Sequence, residues 1–203
     1  MRRALVIAAV LALMPLAGCV PLLSLHPLWD ETTNATVPAL VGTWSAEDGD
    51  ETLVIQQRDD HEYGVVYSTT DHSQKATSRY TMHAVKLGEY LFLDFAPDEH
   101  ALDECTKTDA YLPVVPAHFF ARAVLTGDRL ELGSLDDDAF IKKVKADNVD
   151  IRFEELELEN KETILSAGTS DIQKFVLKYA TDPDLWQKTD FHRVPNAGGN
   201  GLK

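Results

Sequence analysis

The sequence predicts a mainly β protein, an antiparallel β-barrel with an amphipathic helix packed on it near the C-terminus. Three observations carry that expectation. Between residue 40 and about 166, short apolar-rich runs alternate with turn signals, as strands joined by hairpins do. Two of the turns, Gly88-Glu89 and Gly127-Asp128, place Gly first in a two-residue loop, the signature of a type II′ hairpin. Finally, Ile172, Phe175, Val176, Tyr179 and Ala180 follow the i, i+3, i+4, i+7, i+8 stripe of an amphipathic helix. An array of about eight antiparallel strands removes its unpaired edges by closing into a barrel. The 203 residues, 44% hydrophobic, suffice for one such domain.

The elements follow in order. Strands are expected at Leu40 to Ala46, Thr52 to Gln56, Tyr63 to Tyr67, Tyr80 to Leu87, Tyr90 to Phe95, His118 to Leu125 and Arg129 to Leu132. Two more are expected at Ile151 to Leu158 and Thr163 to Ser166. Asp98 to Thr106, after Pro97, reads as a short helix or irregular lid. Asp136-Asp137-Asp138 opens a helix with Phe140, Ile141 and Val144 on one side, its acids opposing the positive end of the helix dipole. The main helix spans about 169–181, with Ser170 and Gln173 as a possible capping box and Gly168 or Thr169 as rival caps. Pro183 ends it, and the Gly- and Asn-rich residues 196–203 form a flexible tail.

The N-terminus sets the compartment. Arg2 and Arg3 precede the apolar run Ala4 to Met14, too short to span a bilayer and of signal-peptide length. Leu16-Ala17-Gly18-Cys19 resembles the lipobox of bacterial lipoproteins. That resemblance implies removal of residues 1–18 and attachment of a diacylglyceryl group to the Cys19 thiol, with acyl chains such as palmitate as the membrane anchor. Several chains on one cysteine hold a protein firmly where a single chain would not. Val20 in place of an acid after the cysteine leans toward the outer membrane, facing the periplasm. Residues 19–39, broken by Pro21, Pro27 and Pro38, read as a lipidated tether, with Leu25, Leu28 and Trp29 lying against the body formed by 40–195. The net charge of −14 argues against nucleic acid as a partner and against close contact with anionic lipid. With Cys19 acylated, Cys105 has no partner for an intramolecular disulfide.

Gly42-Thr43-Trp44, on the first strand of the body, resembles the Gly-x-Trp signature of lipocalins and related calycin barrels. The resemblance implies a tryptophan plugging the closed end and packing on an arginine from a late strand, for which Arg122 and Arg152 are both candidates. Lipobox, Ser24-Leu25-His26-Pro27-Leu28, Pro38-Ala39-Leu40-Val41-Gly42-Thr43-Trp44, β body and helix together resemble uncharacterised bacterial lipoproteins with a lipocalin-like barrel.

Catalytic signatures are missing. There is no Gly-x-Ser-x-Gly elbow, Walker A loop, dinucleotide fingerprint or i, i+4 histidine pair. Glu99, His100, Asp103 and Glu104 are the best metal-like cluster, explained equally by solvated charge. No enzyme, cofactor or metal site is expected. One polar set on strands stands out: Tyr90, Phe92 and Asp94 share a face, as do His118, Phe120 and Arg122. Facing inward, they would join Trp44 in lining a ligand cavity, with Asp94 paired to Arg122. Facing elsewhere, they would close the base or meet solvent. The functional expectation is a lipid-anchored envelope protein that binds a small hydrophobic or amphipathic molecule. Its rival is a filled barrel that contacts an envelope protein partner through its outer surface.

Overall fold

A computed structural model of the chain describes residues 21–71, 74–98, 115–157 and 161–195. The expected signal segment, Cys19, the helix or lid expected after Asp98 with its Glu99–Glu104 cluster, Cys105 and the expected tail from 196 lie outside the described residues. Within them, β1 (Leu23–Ser24), β2 (Asn34–Ala35) and a 3₁₀ turn (Pro38–Leu40) precede a meander. It comprises β3 (Gly42–Ala46), β4 (Glu51–Gln57), β5 (Tyr63–Asp71), β6 (Gln74–Leu87), β7 (Tyr90–Pro97), β8 (His118–Thr126) and β9 (Arg129–Leu135). An inserted unit follows, with α1 (Asp137–Asp147), β10 (Phe153–Glu157), β11 (Lys161–Leu165) and α2 (Thr169–Lys178), before the last strand, β12 (Trp186–Arg193).

Eight strands close into an antiparallel barrel. Each of β3 to β8 pairs with its successor, and β12 pairs with both β9 and β3. Both Gly-led turns close tight hairpins, pairing Leu87 with Tyr90 and Thr126 with Arg129. Gly88 and Gly127 sit at φ of +60° and +59°, as a type II′ turn requires at its first central residue. β5 and β6 run well past their expected ends, because backbone pairing continues through the polar residues Ser68 to Asp71 and Gln74 to Ser78 after the apolar alternation stops.

The helix at 169–178 is not the last element. Residues 186–193, unmarked by the sequence, are the strand that completes the barrel. Their pattern was obscure because Thr189 and Arg193 alternate with Phe191, so the strand lacks a clean apolar face.

Side-chain alternation sorts the apolar residues into two clusters. Trp44, Leu53, Ile55, Tyr63, Val65, Met82, Leu93, Phe95, Ala121, Leu130 and Phe191 form the barrel interior. Val85, Leu87, Phe92, Phe120 and Trp186, from the opposite face of the same strands, share a second cluster with Phe140 and Val144 of α1 and Ile172, Phe175 and Val176 of α2. Phe140 joins the helices, edge-on to Phe175 with ring centroids 5.1 Å apart.

Local chemistry sets the helix ends. Asp136 Oδ1 accepts from the Ala139 amide at 2.7 Å and caps α1, while Asp137 Oδ2 accepts from the Thr163 amide at 3.0 Å. Ile141, expected on the apolar side with Phe140 and Val144, is only half-buried. The Ser170–Gln173 capping box is not formed, and Gly168 is the N-cap without a side-chain bond. Gln173 Nε2 instead donates to the Leu28 carbonyl at 2.8 Å and to Asp30 at 3.0 Å.

Residues 21–40 are laid along the barrel. Leu22 and Leu28 are fully buried, whereas Leu25, expected beside Leu28, is exposed. β1 pairs with β8 on one side and β11 on the other, and β2 pairs with β6.

Candidate functional site

The barrel is closed at one end by its own N-terminal lead-in. The 3₁₀ turn carries Leu40 under the barrel, where Trp44 Nε1 donates to the Leu40 carbonyl at 2.8 Å. The Val37 amide donates to the Tyr63 hydroxyl at 2.7 Å. Arg193, from β12, lies over the Trp44 ring with its guanidinium carbon 4.1 Å from the centroid. It donates to the carbonyls of Val41 at 2.8 Å and Ala39 at 2.6 Å. The arginine partner of Trp44 is therefore Arg193, and neither Arg122 nor Arg152. Gly42 makes this possible: a Cβ there would stand 2.4 Å from Arg193 Nη1, and φ is +143°, a conformation L side chains rarely adopt.

Above this plug the interior is hollow. A cavity of about 290 Å³ is lined by Leu53, Val65, Tyr67, Tyr80, Phe95, Phe119, Ala121, Leu132 and Phe191, with Glu51, Ser134 and Thr189 as its polar residues and Pro21 beside them. It is roughly twice the ~150 Å³ apolar cavity known to hold a benzene. Four aromatic rings come from four successive strands. Phe95 and Phe119 stack at 4.8 Å, and Tyr80 meets Phe119 edge-on at 5.3 Å. Burial first, then the nearby Glu51 charge, pushes the pKa of the Tyr67 hydroxyl above the usual tyrosine value.

Near Pro21 the wall is forked. β8 pairs with β9 from Ala121 to Thr126, but with β1 at His118 and Phe119. The chain at 21–23 fills the split: Pro21 bridges Asp136, the Leu22 amide donates to Leu135 at 3.1 Å, and Leu23 pairs with Phe119.

The polar set singled out from the sequence lies on the other face. Phe92 and Phe120 are buried in the outer cluster, and Tyr90 packs against it. Of the proposed lining residues, only Trp44 points inward, and it forms the plug. Asp94, 1% exposed, is not paired with Arg122. Its Oδ1 meets His118 Nδ1 at 2.7 Å, and its Oδ2 accepts a short bond from the Leu28 amide. Arg122 covers the Tyr90 ring at 5.6 Å, with a buried Nε that has no hydrogen-bond partner. Asp94 and His118 thus fasten the lead-in segment to the barrel wall, helped by Trp29 stacking on His83 at 4.2 Å.

Sequence reasoning missed the cavity because it considered a lining only on the opposite face of β7 and β8 and left the inward direction of that face open. A usable signal existed in part: the two-residue turn at 88–89 fixes Met82 opposite Phe95, so both share one face.

Among the described residues, no group of three or more His, Cys, Asp or Glu could hold a metal ion, and no helix is long and apolar enough to cross a membrane. Comparison with family models, curated proteins and solved structures finds no match.

Proposed function

We propose that this protein is a lipid-anchored envelope lipoprotein of lipocalin-like fold, carrying a small hydrophobic or amphipathic ligand in its barrel. The observation that carries the reading is the 290 Å³ apolar cavity above the Trp44–Arg193 plug. A filled barrel acting only through its outer surface would leave no such space, since well-packed interiors hold few voids larger than a water. The volume falls just below the roughly 300 Å³ at which typical ligand pockets begin, which restricts the ligand to a small one. It suits a short chain or a single ring system. In this reading α2 braces the outer wall, and the lipid on Cys19 holds the protein at the outer membrane, facing the periplasm. Binding and delivery require no catalytic group.

The test is mass spectrometry of an organic extract of the natively purified protein, alongside an Ala121→Phe variant that fills the cavity. A small apolar compound at about one per chain, lost from the variant, is expected. A wild-type extract no richer than the variant's overturns the ligand reading. Metabolic labelling with a fatty acid that fails to mark Cys19 overturns the anchor.

A further inference from the structure

We infer that the cavity is built for a small amphiphilic amine, with its protonated head against Glu51 and its apolar body among the aromatic rings. This rests on the ligand-binding reading and names the ligand class. Glu51 is the one carboxylate lining the cavity, and no lysine, arginine or histidine pairs with it among the described residues. Lys188, on β12 next to the lining residue Thr189, is committed to Glu131 at 2.9 Å.

The rings sit where a cation could use them. Tyr67, Tyr80, Phe95 and Phe119 run from the strand beside Glu51 around half of the wall. Aromatic faces attract ammonium groups, most strongly when water is excluded. The turn that delivers Glu51 adds Glu47, Asp48 and Asp50 beside it. A fatty acid would have to bring its own negative charge to this carboxylate, with no basic partner in the lining. Like charges at short range disfavour that ligand, whereas an ammonium is attracted along the approach as well as at the site.

The experiment uses three probes of equal chain length on the purified full chain: n-octylamine, 1-octanol and octanoate at pH 7. One-to-one complexes are counted by native mass spectrometry across a concentration series, with Glu51→Gln and Ala121→Phe as variants. Octylamine is expected to bind at least tenfold more tightly than octanol, with octanoate weakest. Glu51→Gln should bring octylamine to the octanol level and leave octanol unchanged, which also shows that the variant folds. Equal binding of amine and alcohol, or an amine affinity indifferent to Glu51→Gln, overturns the amine assignment while leaving the cavity reading intact. If no probe binds wild type better than Ala121→Phe, both readings fall.

Discussion

Replacing Gly42 by alanine tests the closed end of the barrel most directly. The added Cβ would lie 2.4 Å from Arg193 Nη1, closer than any stable contact, so the guanidinium must leave its seat. Leaving costs its hydrogen bonds to the Val41 and Ala39 carbonyls and its stacking on Trp44. Bonds from a charged donor contribute about 1.5–3 kcal/mol each, to be discounted here because the arginine side chain is 27% exposed. Cation–π contact over tryptophan adds about 0.5–2 kcal/mol. The backbone at φ +143° adds about 1–3 kcal/mol of strain once the residue is no longer glycine. A total near 4 kcal/mol is expected, read from urea unfolding followed by circular dichroism. The reasoning is checked by a cycle with Arg193→Ala. If Gly42 serves chiefly to admit the arginine, the alanine should cost about 2 kcal/mol less once Arg193 is gone, leaving only the strain. Costs that add within about 0.5 kcal/mol would refute the idea that the two residues act as one device.

Asp94→Ala should destabilise the fold by about 3 kcal/mol, because the buried Leu28 amide loses its acceptor and His118 its partner. Limited proteolysis should then cut first within residues 25–36. Arg122→Met, by contrast, should change the unfolding free energy by less than about 1 kcal/mol, since it removes a buried unpaired Nε and keeps the stem over Tyr90. Acidification should loosen the same segment through His83. Burial lowers its pKa, against the opposing pull of Asp94, Glu62 and Asp59, and its Nδ1 accepts from Asn34 Nδ2 only while unprotonated. A histidine whose folded pKa is depressed contributes fully above its unfolded value, about 6.5, and loses that contribution as pH falls toward the lower value. Thermal stability should therefore drop between pH 7 and 5, and His83→Phe, which retains a ring for Trp29, should flatten the slope.

How much of this was legible follows from the reach of each signal. The strands of the meander could be read because their apolar alternation is local, and the turns at 88–89 and 127–128 because Gly marks a positive φ. Which face of a strand points inward is not local. Parity passes from Trp44 to Leu53 and on to Tyr67 only if the residues in each turn are counted correctly, and a single-residue error inverts every side chain beyond it. The turns at 47–50 and 58–62 give no such count, so the sequence leaves open whether Phe92 and Phe120 face inward, whereas the barrel interior takes Phe95 and Phe119. Arg193 was hidden for another reason. It stands 149 positions after Trp44, on a strand whose inward positions are partly polar. Asp94 was expected to pair with Arg122, but its partners are His118 and the Leu28 amide, and a backbone donor leaves no trace in a pattern of side chains.

One segment links the closed end of the barrel to its cavity. At 37–41 the chain closes the bottom, at 28–34 it is pinned to the outer wall, and at 21–23 it fills the split between β8 and β9. Pro21 lines the cavity and Cys19 is two residues away, so at most about 7 Å of chain separates them. A lipid on Cys19 would therefore pull on the cavity wall itself, where a free tether would have let the body stand away from the bilayer. With that proposed lipid in place, the docked lead-in would act as an orienting device and would present the forked side of the barrel, where β8 and β9 part, to the membrane.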